Sequence, residues 1–400
     1  MVPMNTPKFG AGFRRTAATA VAIAGVIALA ACSGGSPNDT SATEEAQGDI
    51  VVGLNLELTG PGSFLGEGMK AGVEAAAEQI NQAGGINGRE ISVISRDNQS
   101  DPSKAMTAVA ELKREGAVAI IGPGFAQDCN AAAPAFARED IVGFCLSASI
   151  LPEDSSHMFG IGIDYAVMEA AFAEQYAAEG VKRVGLLAAS DASGDDTVDN
   201  FVSVAEAQGI TVDVERFNRP ATDLSPQIIS LMRNEPDALR LQATGPDALL
   251  GVTNVKTLGV TLDTWLPNSA ASFYFASQVA GDVAAGNVLT WIPALLSETG
   301  AEDHPDQAEQ IEGLLTALPE ADTIVASGWD GMQVLARALA ASESTDTADL
   351  IAALENMDMY YGAYSVQQIT PDDHRGAVAD GTLLPAYFTT EGTFTLRKAS

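Results

Sequence analysis

The chain has 400 residues, of which 46% are hydrophobic, and a formal net charge of −32 from 53 acidic and 21 basic side chains. A charge this negative argues against a nucleic-acid partner, because binding a phosphate backbone requires a basic surface. The composition is that of a globular protein long enough for two lobes of ordinary domain size.

The first 31 residues predict a lipoprotein signal peptide. Lys8, Arg14 and Arg15 precede an apolar segment of roughly fifteen residues, which fits an export signal and is short for a membrane span. The sequence LAAC at 29–32 resembles the lipobox of bacterial lipoproteins, which implies cleavage before Cys32 and a lipid on its thiol. The alternatives are an ordinary secretory signal and an uncleaved anchor. Residues 32–48 are small, polar and acidic, and they predict a flexible tether.

Strands and helices then alternate along the chain. Asp101 as a cap and Pro102 at the first helical position mark one helix start. Strands of continuous apolar type between amphipathic helices predict a parallel sheet covered by helices. The predicted strands of the first unit are 49–58, 90–97, 117–122 and 141–146.

The same alternation restarts near residue 165 and predicts a second α/β unit of similar size. The carboxyl ends of the strands in two such sheets point into a shared crevice, where a small ligand is expected. Further helices are predicted over about 304–357, and short strands from about 363 to 396. The predicted strands of the second unit are 181–190, 210–217, 237–243 and 262–267.

A series of motifs in chain order resembles the leucine/isoleucine/valine-binding-protein-like solute-binding proteins of branched-chain amino-acid-type ABC transporters. The resemblance implies an α/β type I periplasmic binding protein, in which two doubly wound Rossmann-like lobes are joined by three crossover segments around a ligand cleft. The motifs lie at 53–85, 84–105, 119–123 (AIIGP), 134–149, 189–196 and 371–376 (PDDHRG).

The resemblance also implies where the lobes begin and end. The crossovers are expected near 160–163, 288–291 and 362–366. Lobe 1 then combines 50–161 with 290–363, and lobe 2 combines 163–288 with 365–398.

The function implied is that of an extracytoplasmic solute-binding protein of an ABC importer. It captures an amino acid, an amide or a related small organic solute by hinge closure and delivers it to the permease. We expect a monomer without cofactor, metal or catalytic activity, held at the outer face of the cytoplasmic membrane or in the periplasm by the lipid on Cys32. The alternative is a sensor component that uses the same fold without transport.

Ligand contacts follow from the resemblance position by position. In relatives that bind amino acids, the loop after the third strand offers a hydroxyl and backbone N–H groups to the α-carboxylate. Here Ala126 stands at the hydroxyl position, and Gln127 is the expected substitute. In lobe 2, Ser193 and Thr244 stand where relatives carry aromatic residues, and Asn268 stands where amino-acid binders carry the carboxylate for the ammonium.

A free branched-chain amino acid is therefore not favoured, because burying an unpaired ammonium is costly. Neutral and carboxylate-bearing small molecules are the candidates. Phe64 is expected among the apolar walls, whereas Trp265 and Trp329 are predicted core residues. The expected ligand-binding residues are Leu65, Phe125, Ala126, Gln127, Ser147, Ala148, Ser149, Ser193, Thr244, Asn268 and Trp291.

Two cysteines remain after the lipobox, Cys129 and Cys145. In an exported chain they form either a disulfide or two buried free thiols. No CxxC motif or cysteine–histidine cluster predicts zinc, and no G-x-S-x-G motif predicts a serine hydrolase. The sequence thus predicts binding rather than catalysis.

Overall fold

The computed structural model describes residues 48–147, 156–163, 165–281, 287–376 and 383–397. The predicted signal peptide, Cys32 and all of the tether except Gly48 lie outside the described residues, as do Ala148 and Ser149. No helix in the described ranges combines the length and the apolar character needed to cross a bilayer.

The first sheet has five parallel strands in the order β2-β1-β3-β4-β5. Its strands are β1 (Ile50–Leu56), β2 (Ile91–Asp97), β3 (Ala119–Ile121), β4 (Val142–Cys145) and β5 (Met158–Gly160). The helices between them are α1 (Ser63–Gln82), α2 (Pro102–Arg114) and α3 (Ala126–Glu139).

The register of the first sheet aligns the carboxyl ends of its central strands. Leu56 of β1 lies opposite Asp97 of β2, and Ile121 of β3 lies opposite Phe144 of β4. The loops that follow these strands therefore leave the sheet at one edge. These loops include the 122–125 segment, which connects β3 to α3.

The second half of the chain builds a seven-stranded sheet in the order β14-β13-β10-β9-β8-β6-β7. Its strands are β6 (Arg183–Ala189), β7 (Thr211–Phe217), β8 (Ala238–Gln242), β9 (Thr264–Trp265), β10 (Val288–Pro293), β13 (Leu383–Phe388) and β14 (Phe394–Leu396). The five strands β6 to β10 are parallel, and β13 and β14 extend the sheet in antiparallel fashion. A separate antiparallel pair is formed by β11 (Tyr360–Tyr361) and β12 (Val366–Gln367).

Helices cover both sheets. The helices after α3 are α4 (Tyr165–Ala178), α5 (Ala192–Ala207), α6 (Ser225–Met232), α7 (Gly245–Thr257), α8 (Phe273–Val279), α9 (Gly300–Asp303), α10 (Ala308–Ala317), α11 (Thr323–Ser342) and α12 (Thr347–Glu355). The α/β fold with two lobes of parallel strands confirms the predicted fold class. The second sheet contains β10 as far as Pro293, whereas a crossover is expected at 288–291, and the division into lobes at these residues stays a prediction.

Helix α11 returns to the first lobe and packs closely on α1. A Cβ on Gly72 of α1 would lie 1.9 Å from the carbonyl oxygen of Val325, and one on Gly328 of α11 would lie 2.0 Å from the carbonyl oxygen of Met69. These glycines let the two helix backbones touch. Asp322 caps α11 by accepting the N–H groups of Ile324 and Val325.

The largest buried core contains residues packed on both sheets. Trp265 and Trp329 are fully buried, as predicted for core residues. The sulfur atoms of Cys129 on α3 and Cys145 on β4 are bonded, with their Cα atoms 5.8 Å apart. This disulfide ties the helix after the 122–125 loop to the neighbouring strand.

Candidate functional site

A buried carboxylate binds the backbone of the loop between β3 and α3. Glu57, the first residue after β1, accepts the backbone N–H groups of Gly124 and Phe125 at 3.2 Å. Asn98, which follows β2, donates its side-chain N–H to Glu57 at 3.3 Å. Three loops at the carboxyl edge of the first sheet thus meet at one side chain.

Glycines make this close contact possible. A Cβ on Gly124 would lie 2.8 Å from the sulfur of Met69 and 2.9 Å from Oε2 of Glu57. A Cβ on Gly62 would lie 2.6 Å from the ring of Phe125, so the Phe125 side chain rests on the α1 start. The loop is therefore packed against both α1 and Glu57.

Four predicted ligand residues lie near this loop. Phe125 is the half-buried residue before α3, Ala126 is buried at the first helical position, and Gln127 is exposed in the first turn. Ser147 is half-buried after β4, and the preceding Leu146 donates its N–H to the carbonyl of Pro123 at 2.9 Å. The structure thus brings Phe125, Ala126, Gln127 and Ser147 to one edge.

Asp128, the third residue of α3, is a second buried acid at this edge of the sheet. Both side chains are fully buried, and no hydrogen-bond donor from the described residues reaches the carboxyl oxygens of Asp128. Burial raises the pKa of both groups, and the neighbouring Glu57 charge helps to raise the pKa of Asp128 to about 8.

Sequence reasoning missed both members of this pair. A signal was present, since Glu57 interrupts the apolar strand segment GLNLEL, and Asp128 shares a buried helical face with Ala132 and Ala135. A buried acid on an apolar face must be paired, hydrogen-bonded or protonated, but the sequence does not say which of these applies.

The edge of the second sheet carries a polar network around Arg219. Arg219 follows β7, and its Nε lies 2.8 Å from Oδ2 of Asp191, which follows β6. Its Nη1 donates to the hydroxyl of Thr244 at 2.6 Å, and Asp247 lies 3.9 Å from its Nε. Ser193 joins the network by donating to Oδ1 of Asp191 at 3.1 Å.

Ser193 and Thr244 are therefore brought together, as the predicted site requires, through an arginine that sequence reasoning missed. Register explains the convergence, because Ala189 of β6 lies opposite Phe217 of β7, and Ala188 lies opposite Gln242 of β8. The residues just beyond these pairs must leave the sheet side by side.

The side chain of Asn268 is hydrogen-bonded to a residue of the segments expected to join the lobes. Its side-chain N–H donates to the hydroxyl of Tyr364 at 2.7 Å, and both residues are buried. Burial raises the pKa of the Tyr364 hydroxyl, so it stays protonated. Gln367, from the same segment, donates to the carbonyl of Gly162 at 2.8 Å. The segments expected to join the lobes therefore lie against each other.

One aromatic contact links the edges of the two sheets. Phe64, in the first turn of α1, stacks on Tyr274 of α8 with ring centroids 6.0 Å apart. A Cβ on Gly245, at the start of α7, would lie 3.0 Å from the Phe64 ring. Phe64 of lobe 1 is thus inserted between two elements of lobe 2.

Leu65 and Trp291, the other two residues expected to form apolar walls of the site, are buried in the core. Leu65 is 7% exposed and belongs to the main core. Trp291 is 5% exposed, and its ring packs 5.4 Å from Trp265 and 5.7 Å from Phe172. These positions differ from those of Phe64 and Phe125, which are both only partly buried. In the described ranges no cluster of three histidine, cysteine or acidic side chains is arranged to hold a metal.

Comparison with known families gives one match over most of the chain. The family described as "Periplasmic binding protein" matches residues 49–385. The "Leu/Ile/Val-binding protein homolog 1" of Brucella abortus is 35% identical over 109 residues, which are 27% of this chain and 26% of the relative. The "Chemotactic signal transduction system substrate-binding protein BasB" of Halobacterium salinarum is 40% identical over 77 residues, 18% of this chain and 19% of that protein.

The chain thus spans 26% or less of the length of these two curated relatives. Among solved structures, the branched-chain amino acid transporter substrate binding protein LivJ of Streptococcus pneumoniae, in complex with isoleucine, has a similar fold. Its TM-score is 0.75 at 18% identity, and the match covers 88% of this chain and 99% of that one. Family and fold are those of binding proteins rather than enzymes. The resemblance to leucine/isoleucine/valine-binding proteins is confirmed, and the chain belongs to the periplasmic binding protein family.

Proposed function

We propose that this protein captures a small neutral organic solute between its two lobes and delivers it to the permease of an ABC importer. The lobes close on the solute by a hinge motion, and the solute leaves chemically unchanged. The mature protein acts as a monomer outside the cytoplasm, anchored in the membrane by a lipid on Cys32.

The observation that carries the proposal is the convergence of two sheet edges. The loop 122–125 and Ser147 lie at the edge of the first sheet, and Ser193 and Thr244 lie at the edge of the second. Phe64 reaches from the first edge to Gly245 and Tyr274 beside the second. Ligands of open α/β sheets bind at such edges, where loops from several strands meet.

A neutral solute is favoured because two charged groups at these edges, Glu57 and Arg219, already have partners within the protein. Glu57 accepts the N–H groups of Gly124 and Phe125, which would otherwise face an anionic ligand group. Arg219 is paired with Asp191. An ion entering the cleft would lose water and displace one of these partners to gain a charge of opposite sign. Amides and other uncharged polar molecules avoid this cost.

A thermal-shift screen of the secreted chain, residues 33–400, tests the proposal. A binder raises the unfolding temperature by mass action. The informative pairs are nearly equal in shape and differ in charge: isovaleramide against isovalerate, and isobutyramide against isobutyrate, each at pH 7. We expect shifts from uncharged members and recovery of the compound unchanged. Shifts confined to charged members would contradict the ligand class, and chemical conversion would contradict a binding function.

A second candidate is a sensor component that presents its ligand to a signalling partner instead of a permease. The similarity to a substrate-binding protein of a chemotactic signal transduction system supports this second candidate. Uptake of radiolabelled ligand in a strain with and without the gene separates the two. Loss of uptake on deletion supports import, whereas unchanged uptake with a lost behavioural response supports sensing.

A further inference from the structure

A single carboxylate binds the start of α11 and the start of α8 at the same time. Oδ1 of Asp322 accepts the N–H groups of Ile324 at 3.0 Å and Val325 at 3.2 Å, which caps α11. Its other oxygen, Oδ2, accepts the N–H of Phe273, the first residue of α8, at 3.1 Å. Asp322 is 8% exposed, so these bonds are largely shielded from water. The two oxygens of one buried side chain therefore bind backbone from two separate helices.

These two helices belong to different lobes. Helix α8 packs on the second sheet, since Phe275 and Val279 lie in a core cluster built from that sheet and its helices, and the Phe275 ring lies 5.6 Å from that of Phe388 on β13. Helix α11 packs on α1 of the first lobe through the glycines described above. The hydrogen bond from Phe273 to Asp322 therefore runs from lobe 2 to lobe 1.

This hydrogen bond lies beside the aromatic contact between the lobes. Tyr274, the residue after Phe273, stacks on Phe64 of α1. A Cβ on Gly68, one turn after Phe64, would lie 2.7 Å from the side chain of Ile324 near the start of α11. The starts of α1, α8 and α11 thus meet in one junction, and both contacts require the lobes to be together.

We infer that Asp322 is a latch residue, which holds the lobes together through the N–H of Phe273 whether or not a solute is bound. Both of its oxygens are engaged by backbone N–H groups, so it acts on the lobes and not on the solute. A protein that already populates its closed state binds ligand more tightly, because closure then takes less of the binding free energy. This effect of Asp322 on solute affinity rests on the proposed function.

Replacing the acceptor by serine separates the two roles of the side chain. Serine caps helices about as well as aspartate does. Its one hydroxyl oxygen, on a shorter side chain, cannot accept from α11 and from Phe273 together. Asp322→Ser should therefore keep the cap of α11 and lose the bond between the lobes.

A second pair of variants removes the donor instead of the acceptor. Proline is tolerated at the first position of a helix, and the preceding Ser272 is already extended, with φ −129° and ψ 146°. Phe273→Pro therefore removes the N–H that Asp322 accepts while α8 is retained. Phe273→Ala is the matched control, because it removes the same ring, which lies 6.0 Å from that of Phe394, but keeps the N–H.

The separation of the lobes in solute-free protein tests the inference. Spin labels at Met106→Cys on α2 and Ile229→Cys on α6, in the secreted chain carrying Cys32→Ser, report this separation by pulsed electron resonance. We expect Asp322→Ser and Phe273→Pro to lower the ratio of short to long distances roughly 2- to 10-fold, the factor that corresponds to one net hydrogen bond. Phe273→Ala should keep the wild-type ratio.

Distance distributions that are the same in wild type, Asp322→Ser and Phe273→Pro would overturn the inference. Equal effects of Phe273→Pro and Phe273→Ala would overturn it too, because the lost ring would then be responsible. If one variant failed to fold, the other would still decide, since the two alter opposite partners of the same bond. The measurement contains no solute, so its failure leaves solute capture to be judged by the thermal-shift screen, and a screen without a binder leaves the latch standing.

Discussion

Phe64 of α1 stacks on Tyr274 of α8 with ring centroids 6.0 Å apart, so an aromatic side chain of one lobe is seated on the other. Tyr274 is 54% exposed, and the contact is therefore at the rim of the interface rather than in a core. A contact of this kind exists only when the lobes are together. It should favour the closed state, which is the state that must bind ligand more tightly.

Replacing Phe64 by alanine should weaken ligand binding without unfolding the protein. An aromatic pair contributes about 0.5–1.5 kcal/mol beyond buried area, so the dissociation constant should rise roughly 2- to 10-fold. Isothermal titration with the solute found in the screen measures the change. Ile229→Ala, at an exposed position on α6, is the control and should leave affinity unchanged. Equal affinities for wild type and Phe64→Ala would show that the stacking does not assist closure.

Replacing Gly72 by alanine should destabilise the protein, although alanine is usually favoured in helices. Its methyl group would lie 1.9 Å from the carbonyl oxygen of Val325, so α1 and α11 must move apart. Overpacking of this kind costs about 1–3 kcal/mol in the free energy of unfolding. Denaturant unfolding measures it.

Gly313→Ala on α10 is the matched control, because its Cβ would lie 3.2 Å from the end of the flexible Gln79 side chain and 3.3 Å from the Trp329 ring, with no backbone atom as close as in Gly72. We expect that variant to be neutral or slightly more stable. A stable Gly72→Ala would mean that the two helices are not in contact as described.

The ion pair between Arg240 and Glu169 lies fully buried in the second lobe. Nη2 of Arg240 donates to Glu169 at 2.6 Å, and the guanidinium lies 3.8 Å above the centre of the Phe172 ring. Burial raises the pKa of Glu169 despite the cation beside it. Glu169→Ala should cost about 3–5 kcal/mol, because it leaves an unpaired charge in the core.

The double variant Glu169→Leu, Arg240→Met should recover most of that loss, since both charges are removed. Glu74→Ala breaks an exposed pair with Lys70 and should cost less than about 1 kcal/mol. Chemical denaturation at pH 7 gives all three values. Similar costs for Glu169→Ala and Glu74→Ala would contradict the buried position of the pair.

The raised pKa of the buried Asp128 carboxyl makes stability depend on pH. The folded-state pKa of about 8 lies above the ordinary value of 3.8, so the folded state binds more protons than the unfolded state between these values. The contribution of Asp128 is fully present below pH 3.8 and is lost progressively as the pH rises to about 8. The stability of wild type relative to Asp128→Asn should therefore fall by up to about 1.4 kcal/mol per pH unit. A difference that is constant from pH 5 to 9 would rule this out.

The disulfide between Cys129 and Cys145 can be tested by counting free thiols. Unfolded, unreduced protein carrying Cys32→Ser should have no free thiol, and reduction should destabilise it by about 3 kcal/mol for a loop of this length. Two free thiols in the unreduced sample would contradict the bond.

Much of the fold could be predicted because its signals are local. The strand predicted at 90–97 is Ile91–Asp97, and the one predicted at 210–217 is Thr211–Phe217. Apolar runs and turn residues can be recognised within a short stretch of sequence. The strand Val288–Pro293 overlaps the expected crossover at 288–291, and its place in the sheet depends on the neighbours β9 and β13, which no short window of sequence contains.

The site was predicted only in part for the same physical reason. The resemblance assigned Ser193 and Thr244 by position, but Arg219, which hydrogen-bonds Thr244, lies 25 residues away in sequence. Glu57 meets the N–H of Gly124 across 67 residues. Such partnerships are set by strand order and register, which a single sequence does not specify.

Closure of the two sheet edges on a solute is tested most directly by a distance across the cleft. Spin labels at Met106→Cys on α2 and Ile229→Cys on α6, both exposed sites, report the separation of the lobes by pulsed electron resonance. We expect saturating solute to convert a broad distribution of distances into one narrow, shorter distance. A distribution that is identical with and without saturating solute would contradict capture by closure.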